Sequence, residues 1–146
     1  MTTALTRPDA RERFAATAAF VREALVEADH AALAHFAHPD VRDVSALRLF
    51  DDGLPGLGFA LRRLHDRFPD LRARVDLLRE CGPGTVEAHL ALVGTYRAPD
   101  LMPSGRDGRR AGWRQVHRFA FRGERVAAHL GWVDRAALRD CLGPAH

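Results

Sequence analysis

The chain has 146 residues, enough for one domain that buries about two-thirds of its unfolded surface and encloses a cavity. Its 47% hydrophobic and 28% charged residues exclude disorder as the default state. All 22 basic residues are arginine, set among 19 acidic ones, so the net charge of +3 offers no segregated basic face and nucleic acid is not an expected partner.

Phe14, Ala18, Val21, Leu25 and Ala28 recur at helical spacing and predict one amphipathic helix over residues 8–27. Asp29 is placed to cap a short second helix over 31–36, which His38-Pro39-Asp40 ends. An extended segment over 41–49 follows. Residues 53–58 read as a Gly-rich turn, after which Leu57, Leu61 and Leu64 lead a third helix that stops at Phe68-Pro69-Asp70.

From residue 71 the period changes to two. Segments 71–79, 85–97, 110–121 and 125–133, separated by Gly-rich turns, predict an antiparallel meander, and Asp134 is placed to cap a last helix over 135–141. Helices first and sheet second define an α+β class, with a single domain over 1–146 and its core at about 10–143.

The start of the chain lacks the basic and apolar regions of a secretory leader, and no stretch approaches the roughly 20 apolar residues of a membrane span. A cytoplasmic protein with no membrane partner is expected. Cys81 and Cys141 make neither a metal spacing nor a disulfide framework and are expected to be buried thiols.

The chemistry-bearing residues gather in the closing hairpin. Alternation puts Gln115, His117, Phe119 and Phe121 on one face of a strand, with His129, Gly131 and Val133 facing them from the next. Paired histidines there would relay protons near neutral pH. With a third ligand they would bind a metal, but no HxH or HExxH spacing supports one, so no metal is expected. On the strand before, His89 shares a face with Glu87, and Ala88, Leu90 and Leu92 take the other.

Tyr96, the sole tyrosine, ends that strand and would orient a ligand carbonyl or fill the rim. Arg97 beside it would hold an anion or pair with Asp100. Asp40 reads as a turn cap, whereas Asp43 lies in an alternating stretch that can aim it inward, where burial raises a carboxylate pKa toward that of a general base.

In order and spacing the sequence resembles the SnoaL-like polyketide cyclase family of the nuclear-transport-factor-2-like superfamily, over about residues 20–143. The carriers are His38-Pro39-Asp40, Gly56, Phe68-Pro69-Asp70, Gly94, Pro103-Ser104-Gly105-Arg106, Gln115-Val116-His117, Arg122-Gly123-Glu124-Arg125-Val126, His129, Trp132, Asp134 and Leu142-Gly143. The resemblance implies a cone-shaped fold, N-terminal helices packed in a curved antiparallel sheet around a hydrophobic pocket. It also implies chemistry without metal or organic cofactor, a polyketide-like hydrophobic substrate and homodimers formed through the outer sheet face. Family cyclases close a ring by intramolecular aldol condensation, a carboxylate taking a proton from carbon. Gln115, His117 and His129 then resemble pocket residues and Asp43 a polar pocket position. The acid/base aspartate that precedes the hairpin tryptophan in the family is here Gly131, before Trp132.

The sequence thus carries three readings. The first is a natural-product tailoring enzyme performing acid/base ring closure or isomerisation, with Asp43, His117 and His129 as catalytic candidates and Gln115, Tyr96, Arg97, Gly131 and Trp132 contacting substrate. The second is epoxide opening, using Asp43 with Arg97 or Arg48. The third is a non-catalytic small-molecule binder that kept the cone and lost the base.

Overall fold

The computed structural model describes residues 9–43, 53–99 and 105–143. The Asp9 carboxylate accepts the Glu12 backbone N–H at 2.9 Å and starts α1, Ala10–Phe20. The helix expected to run on to residue 27 instead widens into a π-helical turn, Val21–Val26, closed by the Glu27 N–H donating to the Arg22 carbonyl at 2.9 Å. Extra residues in a turn rotate the side chains that follow, and here Val21, Ala24 and Leu25 are all buried. Sequence periodicity does not register such an insertion.

Asp29 accepts the Ala31 N–H at 3.1 Å and leads into α2, Ala32–Phe36. The chain turns extended at once as β1, Ala37–Asp43, because the residue before Pro39 is pushed out of the helical region. Pro39 is tolerated within β1 because this strand is a sheet edge, bonded only to β5. The rest of the extended segment expected over 41–49, and Arg48 with it, lies outside the described residues.

The Gly-rich stretch 53–58 is not a turn preceding a helix; it is the first turn of α3, Leu54–Arg67. Gly53, at φ 95°, provides a sharp entry closed to most side chains, and Pro55 sits where its missing N–H costs nothing.

Strands β2 (Arg72–Glu80), β3 (Thr85–Thr95), β4 (Arg110–Arg122) and β5 (Arg125–Val133) form the expected antiparallel meander. The sheet order is β1-β5-β4-β3-β2, with β1 parallel to β5. That one parallel pairing places Asp43 opposite His129. Helix α4, Arg135–Leu142, follows, its start capped by Asp134 accepting the Ala137 N–H at 3.0 Å, and it packs on β4.

Ala88, Leu90 and Leu92 of β3 and Ala111, Trp113 and Phe119 of β4 turn toward the helices and are buried with Val21, Ala24 and Phe36. Phe36 stacks on Phe20 at 4.4 Å and meets Phe119 edge-on at 5.1 Å, which fixes α2 against α1 and β4. Gly94 is glycine because Phe68 lies against it: a Cβ there would come within 3.1 Å of the ring.

The opposite face of β3 carries Glu87, only 4% exposed because side chains from three strands cover it. Arg79 bonds its carboxylate, with His89 and Arg118 each at 3.1 Å, and these partners hold its pKa down to about 2. His89 is thereby tied into an outer-face charge cluster. Buried thiols are not found: Cys81 is half-buried and Cys141 is exposed.

Candidate active site

A cavity of about 140 Å³ opens between the helices and the sheet. Phe20 of α1, Leu25 of the π turn, Leu33 and Phe36 of α2, and Leu57, Leu61 and Leu64 of α3 make one wall, with Phe119 and Val126 opposite. The polar side chains that line it are Asp43, Gln115, His117 and His129, drawn from β1, β4 and β5. Each belongs to the set expected from the sequence. They converge because three neighbouring strands in register turn the same face inward.

The four side chains form a chain. Gln115 Oε1 lies 2.8 Å from His117 Nε2, and His117 Nδ1 lies 2.7 Å from His129 Nε2. The two imidazoles are stacked at 5.0 Å between ring centres, and Phe119 stacks on His129 at 5.1 Å. At the far end His129 Nδ1 approaches Asp43 Oδ1 to 3.4 Å, an ion-pair distance without hydrogen-bond geometry. His129 Nδ1 is therefore a buried nitrogen with no hydrogen-bond partner among the described residues. Such a group costs roughly 1–3 kcal/mol unless something in the cavity bonds to it.

Burial, reinforced by the neighbouring His129, pushes the His117 pKa down to about 3, although Asp43 opposes the shift. His117 is accordingly neutral at physiological pH. It is fixed at both nitrogens, which suits it to hold His129 rather than to exchange protons with a ligand.

Gly131 sits opposite His117 on β5. A Cβ there would lie 3.2 Å from His117 Nδ1 and from His129 Cε1, and 3.3 Å from His129 Nε2. Space that a side chain at 131 would fill is taken by the imidazole contact, so the glycine and the histidine pair are one feature. Gly131→Ala is expected to lower stability by about 1 kcal/mol, as overpacking does. It should also cut turnover roughly tenfold by lengthening the imidazole bond; thermal unfolding and steady-state kinetics check both effects.

Besides Gly131, three expected substrate contacts are absent from the cavity lining. Trp132 follows Gly131 by one residue, so strand alternation points it outward, where it is 44% exposed beneath the Arg118 guanidinium at 5.4 Å. Tyr96 packs edge-on against Phe68 at 5.7 Å, beyond the lining residues. Arg97 is exposed; its backbone N–H donates to the Arg67 carbonyl at 2.7 Å and its carbonyl accepts from the Arg67 guanidinium at 3.2 Å. In the same way Asp40 is exposed and paired with Arg122 at 3.0 Å, which holds its carboxyl below the usual range.

The residues missed as cavity lining are the helical ones, Leu33, Leu57, Ala60 and Leu64 among them. Periodicity marks them as an inward face but does not separate lining from core. Among the described residues no group of three His, Cys, Asp or Glu side chains is placed to hold a metal ion, and no helix is long and apolar enough to cross a membrane.

A curved sheet closed by helices over an apolar cavity, with one imidazole–carboxylate cluster at its polar end, defines a small-molecule protein of α+β cone architecture. The family model for SnoaL-like polyketide cyclases matches residues 15–141, and the chain belongs to that family. Among solved structures it is similar to TsrD from Streptomyces laurentii, with 26% identity, 93% of this chain and 98% of that chain covered, and a TM-score of 0.79. A SnoaL-like polyketide cyclase from Agrobacterium tumefaciens shares 21% identity over 90% of this chain and 98% of its own, at a TM-score of 0.73. AclR from Streptomyces galilaeus, named as a candidate hydroxylase, shares 20% identity over 92% and 83%, at 0.78. Comparison with curated proteins gave no match.

Proposed function

We propose that this chain is a natural-product tailoring enzyme that performs cofactor-independent acid/base ring closure or isomerisation on a polyketide-like carbonyl compound. Asp43 and His129 serve as its proton-transfer couple. The observation that carries this reading is the unpartnered His129 Nδ1 beside the Asp43 carboxylate, at the polar end of an otherwise apolar cavity. The family match supports the reaction class.

In this mechanism the couple removes a proton from the carbon next to a ketone. The electron pair left behind forms the enolate, whose carbon attacks a second carbonyl of the same molecule. The resulting alkoxide takes the proton back from the couple, so ring closure is proton-neutral. Isomerisation needs only the return of that proton to a different carbon. The apolar wall excludes water and strengthens every electrostatic contact at the polar end. His117 and Gln115 keep the His129 ring in place, and the glycine at 131 does not remove the base because the chemistry lies one residue pair away.

The direct test uses proton exchange and needs no knowledge of the natural substrate. A compact cyclic ketone with a single carbonyl, whose α-protons exchange slowly unaided, should lose its α-proton signal by NMR in deuterated buffer at least 10²-fold faster with the protein than without it. Binding of the ketone without faster exchange would instead make the chain a carrier that kept only the cavity.

Epoxide opening has less support, because Arg97 is not among the residues lining the cavity and Arg48, the other arginine named for it, lies outside the described residues. On the outer sheet face, Leu77, His89, Val116 and Trp132 lie in register across β2 to β5, with Leu77 and Trp132 both exposed. This row supports pairing of two copies through that face.

A further inference from the structure

Gln115 is expected from the sequence as a substrate contact, yet it is 7% exposed and its side-chain oxygen is committed to His117 Nε2 at 2.8 Å. Hydrogen-bond bookkeeping along the chain shows what that commitment does. A carbonyl oxygen only accepts, so His117 Nε2 must carry the hydrogen. A neutral imidazole holds one N–H, so His117 Nδ1 is left as an acceptor. At 2.7 Å it must then receive a hydrogen from His129 Nε2. His129 then carries its one hydrogen on Nε2, which leaves its Nδ1, 3.4 Å from the Asp43 oxygen, as an acceptor at the polar end of the cavity.

We infer that Gln115 is a positioning residue that fixes the direction of the hydrogen bonds through His117 and so leaves His129 Nδ1, beside Asp43, as the nitrogen able to take up a proton. The opposite arrangement is geometrically available. If Gln115 presented its NH₂ to His117 Nε2, His117 would donate from Nδ1 to His129 Nε2, and His129 would donate its only N–H toward Asp43. In that arrangement His129 Nδ1 already carries the hydrogen and is no acceptor. The amide orientation of one side chain thus decides whether His129 Nδ1 meets the ligand as a proton acceptor or as a donor.

From the helices, the described cavity-lining side chains, such as Phe20, Leu25, Phe36 and Leu61, are apolar. Among the described residues the titratable groups facing the imidazoles are Asp43 from β1 and each histidine's own neighbour from β4 or β5, and within that set the Gln115 amide sets the direction of the bonds. The inference rests on the proton-transfer reading of this site, but it is tested by an observable that needs no turnover.

Protein labelled with ¹⁵N-histidine reports by NMR which ring nitrogens carry hydrogen. In the wild type His117 should show a protonated Nε2 and a bare Nδ1, and His129 a protonated Nε2. Gln115→Glu, whose carboxylate also accepts, should keep that pattern. Gln115→Leu should move the His117 hydrogen to Nδ1, remove it from His129 Nε2, and shift the pH–rate profile by about one unit toward lower pH with KM changed less than threefold. A bare Nε2 on His117 in the wild type, or an unchanged pattern in Gln115→Leu, overturns the inference. Should the tautomers shift as stated while the wild type fails to speed exchange of the ketone α-protons, the inference stands and the proton-transfer function falls.

Discussion

His129→Gln and Asp43→Asn should each lower turnover by 10² or more, the scale of losing a positioned acid/base group. KM should change only a fewfold, because neither substitution alters the apolar walls that hold the ligand. The double variant should be little slower than the worse single one, since two groups that transfer one proton fail as a unit. Steady-state kinetics on a ring-closing substrate, or the rate of α-proton exchange, gives the comparison. Full activity in both single variants would remove the couple from the mechanism. The size of the effect follows from placement: at the polar end of this cavity no other carboxylate among the described lining residues is available to substitute for Asp43.

The second large effect is on stability against pH. An ordinary histidine titrates near 6.5, whereas folded His117 takes a proton only near 3. Between these values the unfolded chain binds a proton at this position and the folded chain does not, so acidification favours unfolding across that window. One histidine contributes a slope approaching about 1.4 kcal/mol per pH unit, starting below pH 6.5 and ending near pH 3. His117→Phe keeps a ring beside Phe119 and removes the titration. Its stability should therefore fall less steeply than that of the wild type between pH 6.5 and 4.5, by close to one proton's slope. Denaturant unfolding at several pH values reads the difference. Parallel curves for the two proteins would show that His117 is not held neutral. The same burial that costs stability in acid keeps His117 available as an acceptor for His129.

Much of the architecture was legible because it follows from local rules. Alternation in 85–95 and 110–122 sorted these residues into two faces, leaving open which face of 85–95 the helices cover, and the Asp134 cap was readable from its place before an amphipathic stretch. Gln115, His117 and His129 were recoverable for the same reason, since a period of two assigns faces without any knowledge of neighbours. Trp132 and Tyr96 lie away from the cavity lining because of their positions along the strands. Trp132 follows an inward glycine and so must point out, and Tyr96 lies where β3 has already ended. The π turn at Val21–Val26 and the helical start of α3 at Leu54 depend on packing against the sheet, to which a one-dimensional pattern is blind.

The sequence by itself determined the class of fold and which residues of each long strand share a face, because these depend on residue order and backbone periodicity. Tertiary structure alone decided that Asp43 meets His129, since their contact spans a parallel pairing between strands more than eighty residues apart. It also decided why residue 131 is glycine. The space for a side chain there exists only until two imidazoles from adjacent strands approach to 2.7 Å, and that distance is set by the sheet as a whole.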